Sequence, residues 1–327
     1  MIARWVELWS RREPATSLAC VRIGIAAVLL VDLLAAWWLG ALPALWTPPP
    51  SGFGWGALSE HPPVLVQWFG AREGVAIAAW LLAVLSAIGV AFGFCFRVTS
   101  WLLVFAMLEL EGLMPDGDGI DGLVRIVLPL LALSDAHAVL SFDARWKRGR
   151  GKPLDTEILA WPRYLIVVQL LWVYFSAAHH RGKASWGFSG EFAALGDVLG
   201  DPHFSRFAPG AFAPLYPLLQ LAGFLTMVFE FSAPLFLLFS YYQRRPDRGG
   251  FIGAWVRRLR LRDVWLALGV GLHLGIAATM ELGIFPFGIL ALYPALLPPD
   301  ELEALHARAR QLIDQYKAST RPTTNLR

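Results

Sequence analysis

The chain has 327 residues, of which 56% are hydrophobic and only 16% are charged. Soluble domains carry about 25% charged residues, so this composition excludes an ordinary water-soluble fold and predicts a membrane protein. The net charge of +3 is carried mainly by short links between apolar segments, so it gives no reason to expect nucleic-acid binding.

Eight apolar segments have lengths near the ~20 residues that cross a bilayer core, and we predict a helix for each. In chain order they are residues 17–39, 74–94, 98–113, 120–140, 161–178, 214–241, 262–280 and 283–297. The predicted fold class is an all-α, polytopic membrane helical bundle of about eight transmembrane helices. It divides into a transmembrane domain, residues 1–300, and a cytoplasmic tail, residues 301–327, that is expected to form an amphipathic helix.

The basic residues predict the orientation of this bundle. Seven of the 28 Lys and Arg residues lie between residues 244 and 262, and six lie between residues 145 and 163. With eight spans and the N-terminus inside, 22 of the 28 fall in cytoplasmic segments and four in outer segments. Because Lys and Arg concentrate on the cytoplasmic side of membrane proteins, both termini are predicted to be cytoplasmic.

Ionisable residues inside the apolar segments are candidates for function, since each is costly to place in a bilayer. They are Arg22, Asp32, Glu109, Glu111, Arg125, Glu230, His273 and Glu281. With the predicted orientation, most of them gather in the outer half of the membrane. The Asp-rich segment 116–121 and the run from His179 to Lys183 end on that same face, which is therefore the predicted site.

Structural roles are the alternative for two of these residues. Arg125 has Asp121 one helical turn away and Glu109 on the preceding helix as potential ion-pair partners. Arg22 is placed where its side chain could extend to the inner headgroups.

No metal site is predicted. The segment around Asp118 has a spacing close to that of a calcium loop, but a connector that caps the next helix accounts for it better. The adjacent His179 and His180 cannot both point in the same direction from one helix, so this pair alone is a poor metal site.

Several segments together resemble the HTTM domain, the membrane domain shared with vitamin K-dependent gamma-carboxylase. The similar segments are residues 14–24, the connector with Asp118, residues 141–143, the run from Tyr174 to Arg181 with Trp186 and Gly190, and residues 283–285 after His273 and Glu281. The resemblance is spread over about residues 10 to 300. It implies about eight helices and an active face outside the cytoplasm, in agreement with the distribution of charge.

The carboxylases of this family use a lysine amine to deprotonate reduced vitamin K. Oxygenation then produces a strong base that removes a proton from a protein glutamate, and carbon dioxide adds. The resemblance places Arg181 where the family has this lysine, and arginine stays protonated in proteins. His180 and Lys183 are therefore the candidate catalytic bases, and the implied cofactor is a reduced quinone of the vitamin K type.

Three functions follow as hypotheses. The chain is a quinone- or lipid-dependent enzyme that uses His180 and Lys183, or a protein that binds a lipid, a quinone or a peptide without catalysis, or, less favoured, a transporter with a path past Glu230 and His273. The missing lysine favours binding. The expected binding residues are Arg181, His179, Glu109, Glu111, Asp118, Arg125 and Trp186. Membrane lipids and a peptide or protein substrate are the expected partners, in a bacterial inner membrane with the site facing the periplasm.

Overall fold

The computed structural model describes residues 6–7, 9–42, 62–113, 119–181 and 184–319. Over these residues the chain is helical apart from one small antiparallel sheet of two strands, so the all-α prediction is confirmed. The elements that we number in chain order are β1 (Arg12–Pro14), α1 (Thr16–Trp38), α2 (Val64–Phe69), α3 (Glu73–Phe92), α4 (Phe96–Glu111), α5 (Gly119–Ala132), α6 (Phe142–Gly149), β2 (Glu157–Leu159), α7 (Trp161–His180), α8 (Ala194–Gly200), α9 (Tyr216–Phe231), α10 (Leu235–Arg244), α11 (Gly250–Arg258), α12 (Leu261–Thr279), α13 (Phe285–Leu296) and α14 (Pro299–Ser319).

Four of the described helices are long and apolar enough to cross a membrane. They are α1, α3, α12 and the segment Ala213–Phe231, which joins a short 3-10 turn to α9. The shorter apolar helix α13 and the 20-residue helix α7 occupy two further predicted segments. The membrane character of the chain follows from these helices, whereas the count of eight spans stays a prediction.

Two predicted helices are shorter in the structure than in the sequence analysis. The segment 214–241 is divided into α9 and α10, with Pro234 at the break. Proline lacks the backbone N–H that a continuous helix needs and its ring clashes with the carbonyl one turn earlier. The segment 120–140 ends as a helix at Ala132, because the Ser134 hydroxyl bonds to the Leu131 carbonyl and accepts from the Ala136 N–H, which favours a turn.

The described chain separates into two compact units, and we describe each by itself. The first contains residues 1–115, 125–165 and 291–327, and the second contains residues 116–124 and 166–290. In the first unit α3 packs along both α1 and α4. A small residue permits the close packing of α3 on α4, since a Cβ on Gly89 would lie 2.6 Å from the Thr99 side chain. Another permits a close approach between α1 and Ala291, where a Cβ on Gly24 would lie 3.0 Å from the Ala291 Cβ. The indole of Trp80 donates to the Leu33 carbonyl across the α1–α3 contact, at 2.9 Å.

Arg22 connects three segments of the first unit. Its side chain is fully buried in α1, and its Nη1 donates to the carbonyls of Val90 and Ala91 at 2.6 and 2.9 Å, while Nη2 donates to the Leu140 carbonyl at 2.6 Å. The last carbonyls of a helix lack partners within that helix, so this guanidinium supplies donors at the end of α3. The alternative in which Arg22 extends to the inner headgroups is therefore wrong.

The turn next to Arg22 is equally constrained. Gly93 ends α3 with a φ of +60°, and a Cβ there would lie 2.4 Å from the Ser141 Cβ and 2.7 Å from the Arg22 Nη1. The Asp143 carboxylate accepts from the backbone N–H groups of Cys95 and Phe96, both at 3.0 Å, and so caps the start of α4. The residues 141–143, which carried part of the family resemblance, thus have an architectural role in joining α6 to α4.

Arg163 is a second buried arginine, and it connects the N-terminal strand β1 to two later segments of the first unit. Arg163 makes a bidentate pair with Glu13, at 2.6 and 2.7 Å, and its remaining terminal nitrogen donates to the Ala295 carbonyl at 2.9 Å. β1 and β2 pair beside this contact. The C-terminal helix α14 packs on α1, where the Thr16 hydroxyl bonds to Glu303 at 2.6 Å.

The second unit is organised around an aromatic core. The rings of Phe229 and Trp265 stack at 4.4 Å, and the Trp265 indole donates to the Phe229 carbonyl at 3.1 Å, which ties α9 to α12. Tyr174 of α7 meets both rings edge-on. This core fixes the ends of α7 and α9, the two helices that carry the site described next.

Candidate functional site

Arg181 lies directly after the last residue of α7 and forms an ion pair with Glu230 of α9. Their Nη2 and Oε1 atoms are 2.7 Å apart. The Glu230 side chain is 4% exposed and that of Arg181 is 25% exposed, so the pair is buried at its acidic end and reaches the surface at its basic end. The Arg181 guanidinium also lies 4.0 Å from the centre of the Trp186 ring, in a cation–π contact.

The Arg181–Glu230 pair has an open donor and an open acceptor. The Arg181 Nη1 and the Glu230 Oε2 are both buried, and neither has a hydrogen-bond partner among the residues that the structure describes. A buried polar atom without a partner costs about 1–3 kcal/mol. A group that accepts a hydrogen bond would satisfy the Arg181 Nη1, and a group that donates one would satisfy the Glu230 Oε2.

The two histidines at the end of α7 take different environments. The His180 Nδ1 lies 2.8 Å from the Ser176 carbonyl oxygen and 3.2 Å from the Ser176 hydroxyl. The shorter contact, to a carbonyl that can only accept, favours the tautomer with the proton on Nδ1. The His179 ring stacks on Phe175. The two imidazoles are almost perpendicular, with centroids 5.4 Å apart. His180 is exposed, and in the tautomer favoured by the carbonyl contact its Nε2 is the nitrogen that could act as a general base.

Two of the predicted site residues, Asp118 and the candidate base Lys183, lie outside the described residues. Within the described part of the chain, no group of three His, Cys, Asp or Glu residues is placed to hold a metal ion.

Three of the predicted binding residues, Glu109, Glu111 and Arg125, lie in the first unit and have their partners within it. The buried Glu109 carboxylate accepts from the backbone N–H groups of Val64 and Leu65 at 2.9 and 2.8 Å, so it caps α2. Arg125 donates through Nε to Glu111 at 2.7 Å, a partner that the sequence alternatives did not include. The structure thus brings together Glu111 with Arg125 in the first unit, and Arg181 with Trp186 in the second, while it gives Glu109 an architectural partner.

The sequence analysis identified Glu230 as an ionisable residue in an apolar segment and placed it in the transport hypothesis, but it did not pair it with Arg181. An acidic residue within an apolar span was the available signal, but its partner Arg181 lies 49 residues earlier in the chain. His273 is a comparable buried residue, and its Nε2 lies 2.7 Å from the Tyr174 hydroxyl. Glu230 and His273 are only 3% and 2% exposed, and each bonds to another side chain.

Comparison with known proteins adds one match. The family model of the HTTM domain matches residues 10–245, which is more than half of the chain. No curated protein matches the chain. No solved structure matches it either.

Proposed function

Because the chain belongs to the HTTM family, we propose that it is an integral membrane protein that binds a polar group of a lipid, a quinone or a peptide at Arg181, Glu230 and Trp186. Helices able to span a membrane support the first part of this proposal. The observation that carries the second part is the pair of buried atoms, Arg181 Nη1 and Glu230 Oε2, that lack partners among the described residues.

The chemistry of these atoms defines the class of ligand group. The Nη1 of a guanidinium donates to a carbonyl, carboxylate or phosphate oxygen, and a charged donor makes this bond stronger than a neutral one. The second carboxylate oxygen of Glu230 accepts from a hydroxyl or an N–H. The Trp186 ring offers an apolar face to the remainder of the ligand. A quinol, a lipid headgroup with a hydroxyl, or a peptide amide presents such a combination.

The proposed topology has eight spans, both termini in the cytoplasm, and the site facing the periplasm of a bacterial inner membrane. The distribution of Lys and Arg supports it. Alkaline phosphatase fused after Ser189 is expected to be active, since the enzyme folds only outside the cytoplasm, and the same fusion after Pro153 is expected to be inactive. Activity of the Pro153 fusion would exclude this topology.

The binding function is tested by mass spectrometry of lipid and quinone that co-purify in mild detergent. Wild type is compared with Arg181→Ala and with Glu230→Gln, which keeps the shape of the side chain and removes its charge. Arg206→Ala is the matched control, because it removes another arginine of the predicted outer segments. We expect a compound retained by wild type and by the control and lost from Arg181→Ala. Equal retention by all four proteins would rule out this site.

A carboxylase-like enzyme that uses reduced quinone, oxygen and carbon dioxide is the second candidate function. The contact between the His180 Nδ1 and the Ser176 carbonyl supports it, since the tautomer with the proton on Nδ1 leaves Nε2 able to accept a proton. In this function Arg181 would orient the quinone oxygen, and His180 or Lys183 would receive the proton. Incorporation of labelled carbon dioxide into a glutamate-containing peptide should then require reduced quinone and be abolished by His180→Ala or Lys183→Ala. Incorporation that both variants retain would exclude these bases.

A further inference from the structure

The first unit contains a groove far along the chain from Arg181. It has a volume of about 680 Å³ and lies between α1, the end of α3, the turn at residues 139–141, and α6. None of its lining residues takes part in the proposed site. We refer to it as the α3–α6 groove.

The floor and sides of the α3–α6 groove are apolar and exposed. Ile23, Phe92, Leu140 and Phe142 line it, and each of these side chains is more than a third exposed. The Phe142 ring is held edge-on against Phe94. Two of the walls, α1 and α3, are helices able to span a membrane, so in a bilayer the apolar floor would lie beside hydrocarbon.

One rim of the groove is basic. Arg145 and Arg148 line it from α6, where a spacing of three places both on one face of the helix. Both side chains are exposed, and neither has a carboxylate partner among the described residues. The nearest acid in α6, Asp143, is already occupied by the N–H groups of Cys95 and Phe96. The rim therefore presents two positive charges that have no ion-pair partner among the described residues, beside an apolar surface.

The groove is also preformed. The carbonyls of Ala91 and Leu140, which belong to two of its walls, accept hydrogen bonds from the same buried guanidinium of Arg22. Walls that are already fixed lose little conformational freedom when a ligand binds, which favours retention of the ligand.

We propose that the α3–α6 groove binds an anionic phospholipid, with an acyl chain along Phe92, Leu140 and Phe142 and the phosphate at Arg145 and Arg148. The apolar floor selects a molecule of the bilayer, and the two guanidinium groups select a headgroup with net negative charge. A soluble anion would not use the apolar floor, and a zwitterionic lipid would place its own cation beside the rim.

The test uses the full chain in nanodiscs of equimolar phosphatidylglycerol and phosphatidylcholine, followed by native mass spectrometry of the lipid that stays bound. The variant Arg145→Gln/Arg148→Gln is compared with Arg308→Gln/Arg310→Gln, which removes the same charge from exposed positions of α14. Each basic residue near a membrane surface contributes about fivefold to the binding of an anionic lipid, so the rim variant should bind phosphatidylglycerol about 30-fold more weakly. The control should bind it as wild type does.

A second pair of variants tests the groove without a change of charge. Ala91→Trp fills the groove from its α3 wall, whereas Leu85→Trp places the same ring at an exposed position of the same helix. Only Ala91→Trp is expected to lose phosphatidylglycerol. Equal loss in the two arginine variants would show general attraction to basic segments, and retention in Ala91→Trp would show that the lipid lies elsewhere. Either result overturns the proposal.

Discussion

Replacing Arg22 by methionine should destabilise the first unit more than the loss of any exposed arginine. The guanidinium is fully buried and two of its nitrogens serve three carbonyls, at 2.6 to 2.9 Å. Because Val90 and Ala91 share one nitrogen, we count two independent bonds from a charged donor, each worth about 1.5–3 kcal/mol. Their loss amounts to roughly 3–6 kcal/mol, and relief from burying the charge places the expected result near the lower end, about 3–4 kcal/mol.

The assay is reversible unfolding in mixed micelles of a mild detergent and dodecyl sulfate, followed by intrinsic fluorescence, for which the 15 Trp residues of the chain are suited. The matched control is Arg97→Met. Arg97 makes an ion pair with Asp135, but its side chain is 66% exposed, and exposed pairs contribute about 0.2–1 kcal/mol. The free energy of unfolding should therefore fall about three times as far for Arg22→Met as for the control, or further.

Equal free energies of unfolding for the two variants would refute the reasoning. That result would mean that the Arg22 side chain reaches the headgroups in the membrane and that the carbonyls of Val90 and Leu140 find other donors. Arg22→Lys adds a second check, since an ammonium group lacks the planar fork that reaches both sides of the contact and should recover only part of the loss.

Three further variants test the architecture around the site and the groove. Glu109→Ala removes the cap of α2 and should cost about 0.5–2 kcal/mol, visible as faster amide exchange in residues 64–69. Arg163→Lys retains the charge but loses the bidentate contact with Glu13, and we expect a loss of about 1–3 kcal/mol in the same unfolding assay. Gly93→Ala must adopt a positive φ, which costs about 1–2 kcal/mol, and must also displace the Ser141 side chain, so the melting temperature should fall more than for Arg163→Lys.

Each of these variants has a matched control in the chain. Glu73→Ala is the control for Glu109→Ala and removes an exposed acid. Arg12→Lys is the control for Arg163→Lys and alters an exposed ion pair. Gly74→Ala is the control for Gly93→Ala and adds a methyl group where nothing lies within 4 Å. All three controls should stay within about 0.5 kcal/mol of wild type, as surface substitutions usually do. If a control destabilises the protein as much as its counterpart, the contact assigned to that counterpart is wrong.

Hydropathy alone located most of the helices. The predicted segments 17–39, 74–94 and 262–280 correspond to helices Thr16–Trp38, Glu73–Phe92 and Leu261–Thr279. Long apolar runs are a strong signal because a lipid-exposed backbone must form its own hydrogen bonds. The points at which a helix is interrupted within an apolar segment were harder to predict. Pro129 lies inside α5, whereas Pro234 separates α9 from α10. Composition does not distinguish these two prolines.

The same analysis identified buried ionisable residues but did not find their partners. Arg125 pairs with Glu111, and Arg181 pairs with Glu230 across 49 residues of sequence. The choice of partner depends on how each helix is rotated about its axis, and this rotation is set by the packing of small residues and aromatic rings. Periodicity within one segment carries no information about that packing. Glu230 was therefore visible as an unusual residue but not as half of a site.

The side-chain nitrogens that lack a hydrogen-bond partner distinguish the two architectural arginines from Arg181, the arginine that we propose binds a ligand. All three side-chain nitrogens of Arg163 are bonded within the protein, so this residue has nothing left to offer a ligand. In Arg22 only Nε lacks a partner among the described residues. Its other two nitrogens bond to three backbone carbonyls, and this contact contains no carboxylate oxygen left without a donor. Arg181 differs because its open Nη1 belongs to the same ion pair as the open Oε2 of Glu230. A buried ion pair that leaves both a donor and an acceptor unused is less stable than one that is fully bonded. A ligand that bonds to these atoms therefore gains the free energy of hydrogen bonds that folding alone does not form.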